Sequence, residues 1–176
     1  MKQQYILTNT NSFNPKHIFE CGQCFRWNEQ PDGSYTGVFG NNVLNVKQEN
    51  NQIIFSGICD GNIEEICKDY FDLDTDYAQI KNELSKIDDN LKQGIQYGDG
   101  IRILKQDLWE TIISFIISAN NNIPRIKKII EKRIGNRNNE IDVIVYNGIR
   151  MRTEKRLRIE IIRGRKFYKI IIGNFL

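Results

Sequence analysis

The chain has 176 residues, of which 40% are hydrophobic and 27% charged, with a net charge of +3. That length holds one medium domain or two small ones, and the composition excludes a disordered or fibrous chain. The longest strongly apolar stretch, residues 108–119, is too short to span a bilayer and contains Glu110, and no signal-peptide pattern opens the sequence; a soluble, intracellular protein with no membrane partner is expected.

Residues 5–8 form a short β-rich run. Asn14 then precedes Pro15, which places a capping side chain before a residue preorganised for a first helical turn, and Ile18 and Phe19 give that short helix an apolar side. Residues 23–28, 34–39, 43–47 and 52–56 read as strands, broken by turn chemistry at Pro31-Asp32-Gly33, at Gly40-Asn41-Asn42 and over residues 49–51. Strands this closely spaced imply an antiparallel sheet.

The period then changes. Ile63, Ile66, Cys67, Tyr70 and Phe71 fall on one helical face, with Asn62 as the cap. Tyr77, Ile80, Lys81 and Leu84 predict a second helix, and Leu91 and Ile95 a third. Residues 108–119 are apolar nearly all round, so this helix is expected inside a bundle, covered on most sides. Residues 123–134 place Ile126, Ile129 and Ile130 on one face and Lys127, Lys128 and Glu131 elsewhere. The fold class is α+β: a sheet domain over residues 1–75, helices over 76–134, and a basic tail over 135–176.

The tail differs from the rest. Residues 1–131 carry 13 Lys and Arg against 18 Asp and Glu, a net of −5, whereas residues 132–176 carry 12 against 4, a net of +8. Lysine dominates the first part (10 Lys, 3 Arg) and arginine the second (4 Lys, 8 Arg). Residues 150–158 and 163–169 show no helical spacing and no alternation sustained over any length. A basic arm for nucleic acid and a shifted reading frame both fit, and the abrupt change in basic-residue usage favours the frame shift.

Cys21 and Cys24 have C-x-x-C spacing, but Cys59 and Cys67 form no second close pair and the single histidine, His17, completes no ligand set. The reading is four reduced, mostly buried thiols, with no metal and no cofactor. Two other segments carry chemical interest. In Glu20-Cys21-Gly22-Gln23-Cys24-Phe25-Arg26-Trp27, Gly22 lets backbone approach a ligand, although on the motif alone a turn glycine with two aromatic core residues and Arg26 in solvent is the better reading. In Ser118-Ala119-Asn120-Asn121-Asn122-Ile123-Pro124-Arg125, an apolar helix runs into three asparagines. Asn120, Asn121 and Asn122 offer amide donors and acceptors, and Arg125 lies in the next helix's first turn, where a phosphate is favoured; a polar helix–helix turn is the plainer alternative.

These two segments, together with Tyr70-Phe71-Asp72-Leu73-Asp74 and Gly100-Ile101-Arg102-Ile103-Leu104-Lys105-Gln106-Asp107, occur in an order and at separations that resemble the 8-oxoguanine DNA glycosylases over about residues 5–133. The resemblance implies an N-terminal sheet domain like half of the TATA-binding protein fold, then the start of a helical domain. It implies base-excision repair of 8-oxoguanine opposite cytosine, with AP lyase activity, on double-stranded DNA by a cytoplasmic, bacterial-type monomer. Gly22 would offer its carbonyl to the proton on N7 of 8-oxoguanine, Asn120 would fill the space of the flipped base, and Arg125 would bond the orphaned cytosine. The family's hairpin, nucleophilic lysine and following aspartate have no counterpart in these residues, so the expectation is a truncated or frame-shifted, inactive chain with no catalytic residue to assign. The alternative is a non-catalytic DNA-binding module with a basic C-terminal arm.

Overall fold

A computed structural model describes residues 2–134 and four strand segments between 143 and 172, with side chains described through Glu131. The chain divides into two compact units, Met1–Ser114 and Phe115–Leu176.

The first unit is built on an antiparallel sheet of β1 (Gln3–Leu7), β2 (Trp27–Glu29), β3 (Tyr35–Phe39), β4 (Asn42–Glu49) and β5 (Gln52–Ile58), in the order β1-β5-β4-β3-β2. Alternation sets its buried face. Leu44 and Val46 of β4 and Ile53 and Phe55 of β5 are fully buried, whereas Val43 and Ile58 are exposed, and Val46 pairs with Phe55 across the ladder. Helix α1 (Pro15–Glu20) lies against β4 and α2 (Ile63–Tyr70) against β1. Both start as the sequence predicts: the Asn14 side chain accepts from the His17 amide, and that of Asn62 from the Glu64 and Glu65 amides. Ile18, Phe19, Cys67 and Phe71 close the core from the helical side. Phe19 stacks on Trp27 at 4.1 Å between ring centroids, and Trp27 covers Gly37, its cross-strand partner, where a Cβ would lie 2.1 Å from the indole.

Strand β2 starts at Trp27, later than the expected residue 23, because residues 21–26 are held in bends by contacts described below. Helices α3 (Tyr77–Leu84) and α4 (Asp89–Tyr97) follow, capped by Asp76 and Asp88, and leave Ile80, Leu84, Ile87 and Leu91 partly exposed. Helix α5 (Leu108–Ser118) buries Ile113, Ser114 and Ile117 but leaves Leu108 and Phe115 exposed. The expected cover on most sides is therefore not met by the described residues, which pack on one face only.

In the second unit, α6 (Ile123–Ile134) buries Ile126 and Ile130 and exposes Lys128 and Glu131. Beyond it, β6 (Val143–Val145), β7 (Ile149–Glu154), β8 (Arg156–Arg163) and β9 (Lys166–Ile172) pair in that order as an antiparallel sheet. Residues 150–158 and 163–169, which carry no sustained alternation in sequence, thus fall largely within β7, β8 and β9. The basic arm and the frame shift concern side chains that lie outside the described residues.

Candidate functional site

Helix α1 ends at Cys21, and Gly22 follows at φ +88°, a left-handed conformation that costs glycine nothing and other residues appreciable strain. A Cβ at Gly22 would meet nothing within 4 Å, so space does not demand glycine there; the backbone angle does. Gly22 is half-buried, and neither its amide nor its carbonyl has a hydrogen-bond partner among the described residues. A carbonyl in that state is an acceptor awaiting a donor.

The next residue is held from every side. The Gln23 side-chain Nε2 donates to the Ile18 carbonyl at 3.0 Å and the Arg102 carbonyl at 2.9 Å. Its side-chain oxygen accepts from the Leu104 amide at 3.0 Å, and its main-chain carbonyl accepts from Gln106 Nε2 at 2.6 Å. Residues 100–107 are thereby laced to the turn that follows α1. Gly100 fixes the start of that segment: it sits at φ +88°, accepts from the Asn14 amide at 2.9 Å, and a Cβ there would lie 2.4 Å from that of Asn14.

Arg102 anchors the middle. It is 5% exposed, and it donates to the carbonyls of Phe71, Thr75, Asp72 and Ser12 with its guanidinium 4.3 Å from the Tyr77 ring centroid. Burial lowers its pKa against the opposing pull of Tyr77 and Asp72, and the carbonyl donations keep the buried cation solvated. Arg26, expected in solvent if Gly22 were only a turn, instead pairs with Glu110 at 3.1 Å, both about a fifth exposed. Gln23, Arg102 and Gln106 received no individual role from sequence. The legible signal was a polar side chain flanked by apolar residues in short aperiodic segments, as Arg102 is by Ile101 and Ile103.

In the second unit, Asn120 follows α5 at φ +58° and is exposed. Asn121 donates from Nδ2 to the Ile117 carbonyl at 3.0 Å, and Asn122 caps α6 by accepting from the Arg125 amide at 3.0 Å. The three asparagines thus divide: two hold the helix ends and the Asn120 side chain points no hydrogen bond into the protein among the described residues. Arg125 is exposed and has no ion-pair partner among the described residues. Gly22 falls in the first unit and residues 120–125 in the second.

The thiols differ in exposure: Cys24 and Cys67 are buried, Cys59 is intermediate and Cys21 is exposed, and none of the four forms a disulfide among the described residues. "Mostly buried" thus holds for two of the four. Burial raises the Cys59 and Cys67 thiol pKa values. Among the described residues no group of three His, Cys, Asp or Glu could hold a metal, and no helix is long and apolar enough to cross a membrane.

The sequence profile of the 8-oxoguanine DNA glycosylase N-terminal domain matches residues 5–112. The chain belongs to the 8-oxoguanine DNA glycosylase family. Gly22 and residues 100–107 lie inside the matched segment of this glycosylase-family chain, and residues 120–125 lie beyond it. Among solved structures it is similar to MBOgg1 in complex with a low affinity DNA ligand, at 51% identity and a TM-score of 0.71. It is also similar to the Clostridium acetobutylicum 8-oxoguanine glycosylase/lyase, at 39% identity and a TM-score of 0.71 for the complex with duplex DNA bearing cytosine opposite 8-oxoguanine. These matches cover 80% and 81% of this chain and 48% and 50% of theirs. Among curated proteins, N-glycosylase/DNA lyase OGG1 of Arabidopsis thaliana is 28% identical over 71% of this chain and 35% of its own length. The N-glycosylase/DNA lyase of Saccharomyces cerevisiae is 30% identical over 74% of this chain and 39% of its own. The chain therefore spans about half the length of these solved relatives and less than two fifths of the curated ones.

Proposed function

We propose that these 176 residues read 8-oxoguanine opposite cytosine in duplex DNA, as the lesion-recognition part of an N-glycosylase with AP lyase activity. Gly22 is the discriminator. Its free carbonyl accepts from the N7–H that 8-oxoguanine carries, whereas guanine presents an N7 lone pair there and two acceptors repel. Asn120 enters the duplex where the lesion has left the stack, and Arg125 bonds the widowed cytosine. The observation that carries this reading is the half-buried Gly22 carbonyl, at φ +88° and without a hydrogen-bond partner among the described residues.

The proposal extends to what the 176 residues do not do. After Arg125 there is no Gly-x-Gly hairpin and no aspartate beyond Asp142, so the residues in hand bind the lesion and do not cut. Fluorescence anisotropy against matched duplexes tests both halves, with borohydride trapping alongside. One hydrogen bond replaced by one repulsion sets a preference of about tenfold for 8-oxoguanine:cytosine over guanine:cytosine. Equal affinities would sink the lesion-reading assignment, and a trapped covalent adduct would sink the non-cutting one. A purely phosphate-driven binder would show a steep salt dependence with no preference at all.

A further inference from the structure

We infer that Gln23 and Gln106 are positioning residues for lesion discrimination: they fix the direction in which the Gly22 carbonyl points. This rests on the reading of Gly22 given above and names what makes that reading physically possible. A glycine is the residue least able to hold its own carbonyl in one direction, because its φ and ψ are the least restricted. Hydrogen bonds weaken steeply with misalignment, so a freely turning carbonyl would tell a donor from a lone pair poorly.

The Gly22 carbonyl shares one rigid peptide plane with the Gln23 amide, so immobilising Gln23 immobilises the acceptor. Gln23 is held both by its side chain and by its main-chain carbonyl, one peptide beyond the Gly22 carbonyl. Its side chain reaches Ile18 in α1 and Arg102 and Leu104 in the 100–107 segment, using both donor positions and its acceptor. Its main-chain carbonyl is gripped by Gln106 at 2.6 Å. The far anchor is itself fixed, since the Arg102 guanidinium is tied to the carbonyls of Phe71 and Thr75 at 3.0 Å each. The Gly22 carbonyl, between α1 and this clamp, has no hydrogen-bond partner among the described residues. The Gln23 side chain and carbonyl are thus spent on geometry, and the Gly22 carbonyl beside them is open to a ligand.

The test uses the full chain as wild type, Gln106→Ala and Gln23→Glu. Gln106 is half-exposed, so its truncation removes one grip without emptying the core. Gln23→Glu keeps the shape but sets an oxygen against the Ile18 and Arg102 carbonyls. Two readouts are taken: amide hydrogen exchange over residues 21–26 without DNA, and the ratio of affinities for 8-oxoguanine:cytosine and guanine:cytosine duplexes. Gln106→Ala is expected to speed exchange over 21–26 and to lower the ratio about three- to tenfold, the worth of one hydrogen bond. A merely structural role would weaken both duplexes equally and leave the ratio where it was, which overturns the inference. Unchanged exchange beside a wild-type ratio above one overturns the positioning role alone. A wild-type ratio of one overturns the Gly22 reading itself, and this inference with it.

Discussion

Replacing Arg102 by methionine should be the most damaging single change in the first unit that leaves the sheet core untouched. The Arg102 guanidinium donates to four main-chain carbonyls. That of Phe71 belongs to a fully buried residue, and losing a charged donor there costs about 1.5–3 kcal/mol. Ser12, Asp72 and Thr75 are only half-buried, so water replaces the lost donor and adds about 1 kcal/mol in all. The lost contact with the Tyr77 ring contributes about 0.5–1 kcal/mol. Relief from burying a charge offsets part of this, leaving a net of about 3 kcal/mol. For a unit of this size that is a drop in Tm of roughly 10 °C or more, read by circular dichroism with a urea titration alongside. Arg102→Lys should recover little, because one ammonium cannot reach carbonyls lying in several directions. A fall of less than about 3 °C in the methionine variant would refute the claim that Arg102 is the anchor of the 100–107 segment.

Gly37→Ala should cost about 3 kcal/mol, because its Cβ would fall 2.1 Å from a Trp27 ring that is stacked on Phe19 and cannot yield; a melt within a few degrees of wild type would contradict it. Acid should unfold the chain through particular carboxylates. Burial works against the Asp72 carboxylate, but hydrogen bonds from Thr75, Lys105 and Tyr77 outweigh it, and Lys81 does the same for Asp99, so both pKa values are depressed. The stability they contribute is present above the unfolded carboxylate pKa of about 4 and is lost as pH falls through the lower folded values. Melts across pH 3–8 should therefore be flat at the top and fall below about pH 4, and Asp72→Asn should flatten that fall. Alkylation of the native chain followed by mass spectrometry should label Cys21 first and Cys67 last, since Cys67 is buried with its thiol pKa raised; early labelling of Cys67 would mean the core opens locally.

Most elements were legible because each rests on a local cause. Asn14, Asn62, Asp76 and Asp88 all cap the helices that follow them, and alternation in β4 and β5 selects the buried set. The start of β2 was not legible, because Gln23 is held by partners about 80 residues away in sequence, at Arg102, Leu104 and Gln106. No local pattern encodes a contact of that range. The same holds for Arg102, whose role depends on carbonyls converging from Ser12 and from the end of α2. Periodicity in α5 said how apolar the helix is but not which face its neighbours cover, and Leu108 and Phe115 remain exposed. For the site, Gly22 and Asn120 stood out as residue types, and the structure adds the two positive φ angles that make those types matter.

The most direct measurement is the ratio of dissociation constants for guanine:cytosine and 8-oxoguanine:cytosine duplexes, taken for the wild-type chain and for Gly22→Ala under one salt condition. Alanine resists φ +88°, so the peptide between residues 22 and 23 must turn even though the new methyl group meets open space. A wild-type ratio of about ten, falling toward one in Gly22→Ala, is the predicted result. A ratio that survives Gly22→Ala would place lesion discrimination elsewhere and contradict the assignment of the Gly22 carbonyl.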